Sequence, residues 1–113
     1  MECIFCRIVA GEIPADIVFQ DNEIVAFRDI HPQAPTHILV IPKTHIASLN
    51  DLTPRHTDLI GRIILVASEL ARKENIADSG YRLSISCGAD GGQVVPHLHL
   101  HLIGGRKLDD RLG

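Results

Sequence analysis

The pattern of apolar and polar residues predicts one long amphipathic helix in the second half of the chain. Apolar side chains recur there every three or four residues, and charged residues fill the opposite face. Thr53 and Pro54 mark its start, because Thr is a favoured N-cap and Pro is tolerated at the first helical position. The positions predicted to face the core are Leu59, Ile60, Ile63, Ile64, Ala67, Leu70 and Ala71.

Shorter apolar runs predict five strands and one further helix. Two of the strands, 17–20 and 23–28, are separated only by a polar pair and predict a hairpin. The remaining predicted elements are strands at 36–41, 81–86 and 97–103 and a short helix at 3–10. Strands at both ends of the chain with a long helix between them indicate an α+β domain with a mainly antiparallel, five-stranded sheet.

Length and composition limit the class of protein. The 113 residues and 45% hydrophobic content predict a single globular domain over residues 1–113, with a core of Ile, Leu and Val because aromatics make up only 4%. The net charge of −3, without a basic block longer than two residues, argues against nucleic-acid binding. We expect no membrane span and, since the first residues do not resemble a secretion signal, a cytoplasmic location.

The candidate chemistry lies in the last predicted strand, where His97, His99 and His101 alternate with leucines. Side chains alternate faces along a strand, so the three imidazoles are expected on one face and the leucines on the other, towards the long helix. Imidazoles titrate near neutral pH and suit a nucleophile, a proton donor and a phosphate hydrogen-bond donor. The glycine-rich segment 88–93 just before them can hold a phosphate through backbone N–H groups.

Two other interpretations of the histidines compete with catalysis. A polar strand without a role is the weaker one, because three of only seven histidines are evenly spaced beside a glycine-rich loop. A metal site remains open, since imidazole is the commonest metal ligand. The pair Cys3 and Cys6 adds to it, because C-x2-C spacing in a reducing compartment indicates metal binding or redox chemistry. Both thiols could also be small buried hydrophobes, which is our interpretation of Cys87.

The sequence resembles the histidine-triad family, whose signature is His-x-His-x-His followed by two hydrophobic residues. Residues 97–103 fit that signature, and the resemblance extends over essentially the whole chain. The segments that carry it are CIFCRIVAGEIPA from Cys3, FRDI from Phe27, APTHILVIPKTH from Ala34 and DGGQVVPHLHLHLIGGR from Asp90. Within the family the chain is most similar to the nucleotide-binding, purine nucleoside phosphoramidase branch.

The resemblance implies a fold and a reaction. The expected assembly is a homodimer that joins two antiparallel sheets into one. His99 would attack the α-phosphorus and form a nucleotidyl-histidine that water then hydrolyses. His97 would orient His99 through the backbone, His101 would hydrogen-bond the phosphate, and His37 would complete the cluster.

The resemblance also implies a nucleotide site. Asp29 would bind the ribose hydroxyls, although a strand-end turn role is also consistent with it. Residues that would line the base pocket or otherwise contact the nucleotide are Phe27, Ile30, Ser86, Gly92, Gln93 and Val94, and the first two could equally be core. The chain departs from the branch at Ser86, where Asn is frequent, at Val94, which lacks a side-chain donor, and at Pro96, where an aromatic is common; these changes bear on the preference for P–N bonds.

A zinc site is a further implication of the resemblance. Some bacterial members pair the two N-terminal cysteines with two histidines, which here gives Cys3, Cys6, His45 and His97. Two thiolates and two imidazoles form a closed tetrahedral set, so this zinc would be structural.

Three functional hypotheses follow. The first is hydrolysis of purine nucleoside phosphoramidates or acyl-nucleotides, with a purine nucleotide such as AMP or an AMP conjugate as the bound partner. The second is a dinucleoside polyphosphate hydrolase, which uses the same triad on P–O–P bonds. The third is a nucleotide-binding scaffold dimer with little turnover, which the complete triad disfavours.

Overall fold

A five-stranded sheet positions the histidines in the computed structural model, which describes residues 3–111. The predicted α+β class, with a long helix and a short N-terminal helix, is confirmed. In chain order the elements are α1 (Ile4–Val9), β1 (Ile17–Gln20), β2 (Ile24–Arg28), β3 (Thr36–Pro42), α2 (Thr57–Lys73), β4 (Tyr81–Ser84) and β5 (Leu100–Gly104). Among these residues no helix is both long and apolar enough to cross a bilayer.

The strands form one antiparallel sheet in the order β1-β2-β3-β5-β4. The fully buried β3 lies at its centre, where Ile38 faces Arg28 on one side and Leu102 on the other. This register brings the end of β2, the start of β3 and the histidines of β5 side by side.

The two faces of the sheet are covered by different helices. On one face the predicted packing of leucines against the long helix is confirmed, because Leu100 and Leu102 share a buried cluster with Ile63, Ala67 and Leu70 of α2. Fully burying such a side chain contributes about 1.5–3 kcal/mol. On the other face the short α1 places its two buried side chains on β2 and β3, in a cluster that includes Phe5, Ile8, Val25, Phe27 and Leu39.

The long helix differs from the prediction in its start and in one core position. Thr53 caps a 3-10 turn, Pro54–His56, and α2 begins at Thr57. Ile64 is 45% exposed, whereas Val66 is buried. Ile64 is rotated about 100° around the helix axis from Ile63, and it therefore lies outside the apolar stripe that Ile63, Val66 and Leu70 form.

The last strand begins three residues later than predicted, at Leu100 instead of His97. Val40 faces Leu100 in the register, so two further pairs would place Leu98 opposite Pro42. Proline has no N–H to donate, and the ladder stops before that pair. The Leu98 N–H instead donates to the carbonyl of Ile46 at 2.6 Å. The fourth strand is also shorter than predicted and ends at Ser84.

Candidate active site

A cleft of about 500 Å³ opens on the α1 side of the sheet. Apolar side chains of α1, β2 and β3 line it together with imidazoles and one carboxylate. Predicted site residues that line it are Phe27, Asp29, Ile30, His37, Gly92, Val94, His99 and His101. The structure therefore brings most of the predicted nucleotide site into one cavity.

Hydrogen bonding sets the protonation of the middle histidine. Nδ1 of His99 lies 2.7 Å from the carbonyl oxygen of His97. A carbonyl only accepts, so Nδ1 must carry the hydrogen and donate it. In the neutral ring Nε2 is then the unprotonated nitrogen. His99 thus presents a basic nitrogen in a cleft, which is what a nucleophile requires.

A second chain of hydrogen bonds fixes the protonation of His37 and His101. The backbone N–H of Gln33 donates to Nδ1 of His37 at 3.1 Å, so this nitrogen is unprotonated. The hydrogen of the neutral ring must then be on Nε2, which lies 2.9 Å from Nδ1 of His101. His101 accepts that bond at Nδ1 and carries its own hydrogen on Nε2. It can therefore donate to an anion in the cleft.

Burial keeps both of these rings neutral. It lowers the pKa of His37, although the nearby Asp29 carboxylate acts in the opposite direction. The same burial, with the neighbouring rings of His99 and His37, lowers the pKa of His101 to about 4. At neutral pH the hydrogen-bonded pair therefore carries no charge, and the tautomers derived from geometry apply.

The end of β2 and the start of β3 hold the carboxylate of Asp29 in place. The Asp29 N–H donates to the His37 carbonyl at 2.9 Å, and Asp29 Oδ1 accepts from the His31 N–H at 2.8 Å. Its Oδ2 lies 3.5 Å from Nε2 of His37. Next to it, Arg28 makes two 2.8 Å bonds to Glu74 at the end of α2. Asp29 is thus fixed at the cleft with an oxygen available for a hydroxyl.

The glycine-rich loop is held by the side chain of Gln93. Its amide donates to the carbonyls of Ala47 and Val95 at 2.7 and 3.0 Å and accepts from the Gly88 N–H at 2.9 Å. These three bonds occupy the side chain, and Gln93 and Ser86 are not among the residues that line the cleft. Val94 lines the cleft and is 88% exposed. Gly92, with φ of +84°, adopts a backbone conformation that suits glycine.

The ring of His97 lies on the α1 side of the sheet, where it contacts Phe5 as the ring of His99 does, but it is not among the residues that line the cleft. The ring is fully buried, and its Nε2 donates to the carbonyl of Pro42 at 2.8 Å. Its Nδ1 faces the thiols of Cys3 and Cys6 at 3.4 and 3.5 Å.

Four potential ligands gather around that nitrogen. The ligand atoms of Cys3, Cys6, His45 and His97 all lie within 4.8 Å of one another, and Nδ1 of His45 is 3.3 Å from the Cys6 sulfur. Zinc bonds of about 2.3 Å to sulfur and about 2.0–2.1 Å to nitrogen place tetrahedral S and N ligands about 3.5 Å apart. The three sulfur–nitrogen distances of 3.3–3.5 Å fit this geometry. The donor set therefore suits zinc.

Several residues of the cleft were missed from the sequence. Phe5 makes edge-to-face contacts with the rings of both His97 and His99, at centroid distances of 5.9 and 5.2 Å. Ile13 and Leu39 add apolar wall, and Gln33 acts through its backbone. In the sequence, the apolar side chains are indistinguishable from ordinary core residues. The backbone N–H of Gln33 leaves no signal in the sequence, because nearly every residue has one.

Comparison with known proteins agrees with this geometry. Residues 10–108 match the HIT domain family model. The chain is 51% identical to a purine nucleoside phosphoramidase of Escherichia coli K12 over 98% of its length and 93% of the relative's. A HIT family hydrolase from Legionella pneumophila superposes with a TM-score of 0.97 at 50% identity, covering 99% of this chain and 100% of that one. A zinc-bound histidine triad family protein from Mycobacterium smegmatis gives 0.82 at 33% identity, covering 97% and 79%.

Proposed function

The chain belongs to the HIT domain family and is a hydrolase, and we propose that it cleaves purine nucleoside phosphoramidates or acyl-nucleotides at the α-phosphorus. The observation that carries the proposal is the bond from His99 Nδ1 to the His97 carbonyl, which leaves a nucleophilic nitrogen in the cleft. The E. coli relative, named as a purine nucleoside phosphoramidase, supports the substrate class.

The first step is attack on phosphorus by His99. Its Nε2 lone pair forms the N–P bond of a nucleotidyl-histidine as the bond from phosphorus to the leaving group breaks. An amine leaving group takes up a proton from water, because Val94 has no side-chain proton to offer. His101 donates from Nε2 to a phosphate oxygen and stabilises the charge that develops there. His97 holds the attacking ring through its carbonyl.

The second step releases the nucleotide. Water attacks the same phosphorus, the bond to Nε2 of His99 breaks, and a nucleoside monophosphate departs while the water's second proton goes to solvent. His99 returns with Nδ1 still bonded to His97 and Nε2 unprotonated. Substrates with P–N, acyl or P–O–P leaving groups share both steps, so the leaving group decides between our first hypothesis and a dinucleoside polyphosphate hydrolase.

Recognition of the nucleoside is assigned to Asp29 and to apolar side chains of the cleft. Asp29 accepts hydrogen bonds from the ribose hydroxyls, since an ionised carboxylate is an acceptor only. Phe27 and Ile30 contact the base, and Ile30, 84% exposed at the mouth, would become covered when the base binds. The backbone N–H of Val94 is assigned to the phosphate, because the N–H groups of Gly92 and Gln93 donate within the loop to the carbonyls of Ala89 and Gly88. The side chain of Gln93 shapes the loop.

We also propose that Cys3, Cys6, His45 and His97 hold zinc, which would tie α1 to the sheet. In residues 3–111 one buried side-chain N or O lacks a hydrogen-bond partner, and it is Nε2 of His45. Burying that nitrogen costs free energy, and a metal bond at Nδ1 would offset it. Burial and the neighbouring Cys3 thiol raise the pKa of Cys6, so zinc binding would release protons.

A homodimer completes the proposal. The strand β4 forms one edge of the sheet, and the opposite edge, β1, is interrupted by an irregular register between Ile17 and Phe19. Such irregularities block edge pairing, so β4 is the edge suited to continue into a second copy. Ile64 and Leu65 of α2, 45% and 63% exposed, supply apolar surface for the same association.

The reduced thiols fit the expected cytoplasmic location.

The direct test is incubation of the purified protein with an adenosine 5′-phosphoramidate while AMP release is measured. We expect steady turnover, and faster turnover than with a dinucleoside polyphosphate. A preference for the polyphosphate would establish the second hypothesis. Tight AMP binding without turnover of either substrate would leave the scaffold interpretation.

A further inference from the structure

Gln33 connects the histidine cluster to the segment that follows β5. Its N–H donates to Nδ1 of His37 at 3.1 Å. Its carbonyl oxygen accepts two hydrogen bonds from one guanidinium, from Nε of Arg106 at 3.1 Å and from Nη2 at 2.9 Å. Both backbone groups of Gln33 are therefore used, one towards the cluster and one towards an exposed arginine outside it.

The backbone conformation of Gly105 lets the segment that carries Arg106 approach the loop that contains Gln33 and Pro35. Gly105 has φ of +94°, and a Cβ built on it would lie 2.9 Å from Cβ of Pro35. Only glycine allows the segment after β5 to approach Pro35 this closely without displacement. Two independent features, a glycine contact and a paired hydrogen bond, thus fasten the chain around Gln33.

We propose that Arg106 is a positioning residue for His101. By holding the Gln33 carbonyl, it keeps the Gln33 N–H on His37, and this N–H decides which nitrogen of His37 carries the hydrogen. His37 in turn donates to His101 at 2.9 Å and leaves the His101 hydrogen on Nε2. The catalytic consequence rests on the proposed function, in which that hydrogen binds the phosphate.

Loss of Arg106 would change the tautomers of His37 and His101. Without a donor at Nδ1, the neutral ring of His37 can carry its hydrogen on either nitrogen. With the hydrogen on Nδ1, its Nε2 becomes an acceptor, and His101 then donates from Nδ1. His101 Nε2 would in that state meet the phosphate with a lone pair. The fraction of molecules able to stabilise the transition state falls, whereas the ribose and base contacts of Phe27, Asp29 and Ile30 remain.

The test compares Arg106→Gln with the matched control Arg111→Gln. Arg111 is an exposed arginine five residues away whose side chain is 3.8 Å from Asp109, so its removal changes the charge equally. Two-bond ¹H–¹⁵N correlation spectra report the protonated nitrogen of each ring. We expect His37 and His101 protonated at Nε2 in the wild type and in Arg111→Gln, and a mixture of tautomers in Arg106→Gln.

Kinetics with the phosphoramidate give the second readout. In Arg106→Gln we expect kcat to fall about fivefold to tenfold, as for one lost hydrogen bond, with KM within about twofold. Arg106→Lys, which keeps a donor for the carbonyl, should lie between this variant and the wild type. Thermal melts establish that each variant is folded.

Two outcomes would overturn the inference. One is unchanged tautomers and kcat in Arg106→Gln, and the other is an equal loss in Arg111→Gln, which would indicate a charge effect. The spectra need no substrate, so they test the positioning chain even if the phosphoramidate is not turned over. Absence of turnover in the wild type with the expected tautomers would reject the proposed function alone.

Discussion

The carbonyl oxygen of His97 accepts a hydrogen bond from Nδ1 of His99 at 2.7 Å, while the His97 ring faces the thiols of Cys3 and Cys6. One residue thus serves two sites, with its carbonyl on His99 and its side chain in the Cys/His cluster. This division is possible because the buried His97 ring is held by Phe5, the Pro42 carbonyl and the thiols, which leaves its own carbonyl for His99.

Replacement of the nucleophile is the first prediction. His99→Ala should lower kcat by several orders of magnitude while AMP still binds, because binding rests on other groups. Quenched reactions of the wild type should contain an AMP adduct that peptide mapping locates at His99. His56→Ala, which removes an imidazole from the 3-10 turn before α2, serves as control and should keep wild-type turnover. Activity of His99→Ala above about a tenth of wild type would reject the assignment.

Most of the fold follows from local patterns in the sequence. Amphipathic spacing predicts α2, and β-branched runs predict β1 to β3, because the residues of each element are close in sequence. The misplaced boundary at His97 has a different origin. It depends on Pro42, which lies far away in the chain and ends the ladder only because the register brings it opposite Leu98.

The sequence predicted those site residues whose side chains have a distinctive chemistry. Asp29, His37 and the triad are chemically distinctive, and the resemblance assigns their roles. Phe5 and Gln33 were missed for opposite reasons. Phe5 is indistinguishable from core until its contacts with His99 are seen, and Gln33 contributes backbone groups that any residue except proline would supply in part.

The carboxylate prediction concerns the ribose. Asp29→Asn should lower kcat/KM for a ribonucleoside phosphoramidate about tenfold to hundredfold, the range for hydrogen bonds to a charged group. The 2′,3′-dideoxy substrate provides the matched comparison, since it lacks the hydroxyls that Asp29 would bind. Wild type should lose activity on it, and Asp29→Asn should lose little more. An equal loss on both substrates would place Asp29 in a purely structural role.

Stability should depend on pH through His101. Its pKa is about 4 in the fold and 6.5 ordinarily, chiefly because of burial. Between these values the unfolded chain binds a proton that the folded chain does not, so the free energy of unfolding falls as pH drops from 6.5 to 4. Urea denaturation at about pH 7 and about pH 5 should show a smaller loss in His101→Gln than in the wild type. His56→Gln, outside the cleft, should retain the wild-type difference.

The dimer prediction is tested on the apolar surface of α2. Leu65→Glu places a charge where a partner would cover an apolar side chain, and burial of an unpaired charge is costly. Light scattering should show a dimer for the wild type at micromolar concentration and a monomer, or a much weaker dimer, for the variant. Arg55→Glu changes the charge at an exposed position in the 3-10 turn and should remain dimeric. A wild type that is only monomeric would contradict the prediction.

The final prediction concerns zinc. Metal analysis of the purified protein should find about one zinc per chain, with sulfur and nitrogen ligands at the usual distances. Chelation should lower the melting temperature, because the metal binds only the folded arrangement of α1, His45 and His97. Activity well below that temperature should persist, since four protein ligands leave no position for water and His99 already provides a nucleophile.

Cysteine variants separate the metal from the thiols themselves. Cys3→Ser combined with Cys6→Ser should remove both the zinc and the stability that chelation removes, so the variant should no longer respond to the chelator. Cys87→Ser is the matched control, since the third thiol lies outside the cluster and its loss should leave metal content unchanged. Unchanged metal content and melting temperature in the double variant would mean that the site is elsewhere. His97 links the cluster to His99 only through its backbone, so removal of a structural zinc from the folded protein should not stop catalysis. Loss of turnover on chelation without unfolding would therefore indicate that the metal is catalytic.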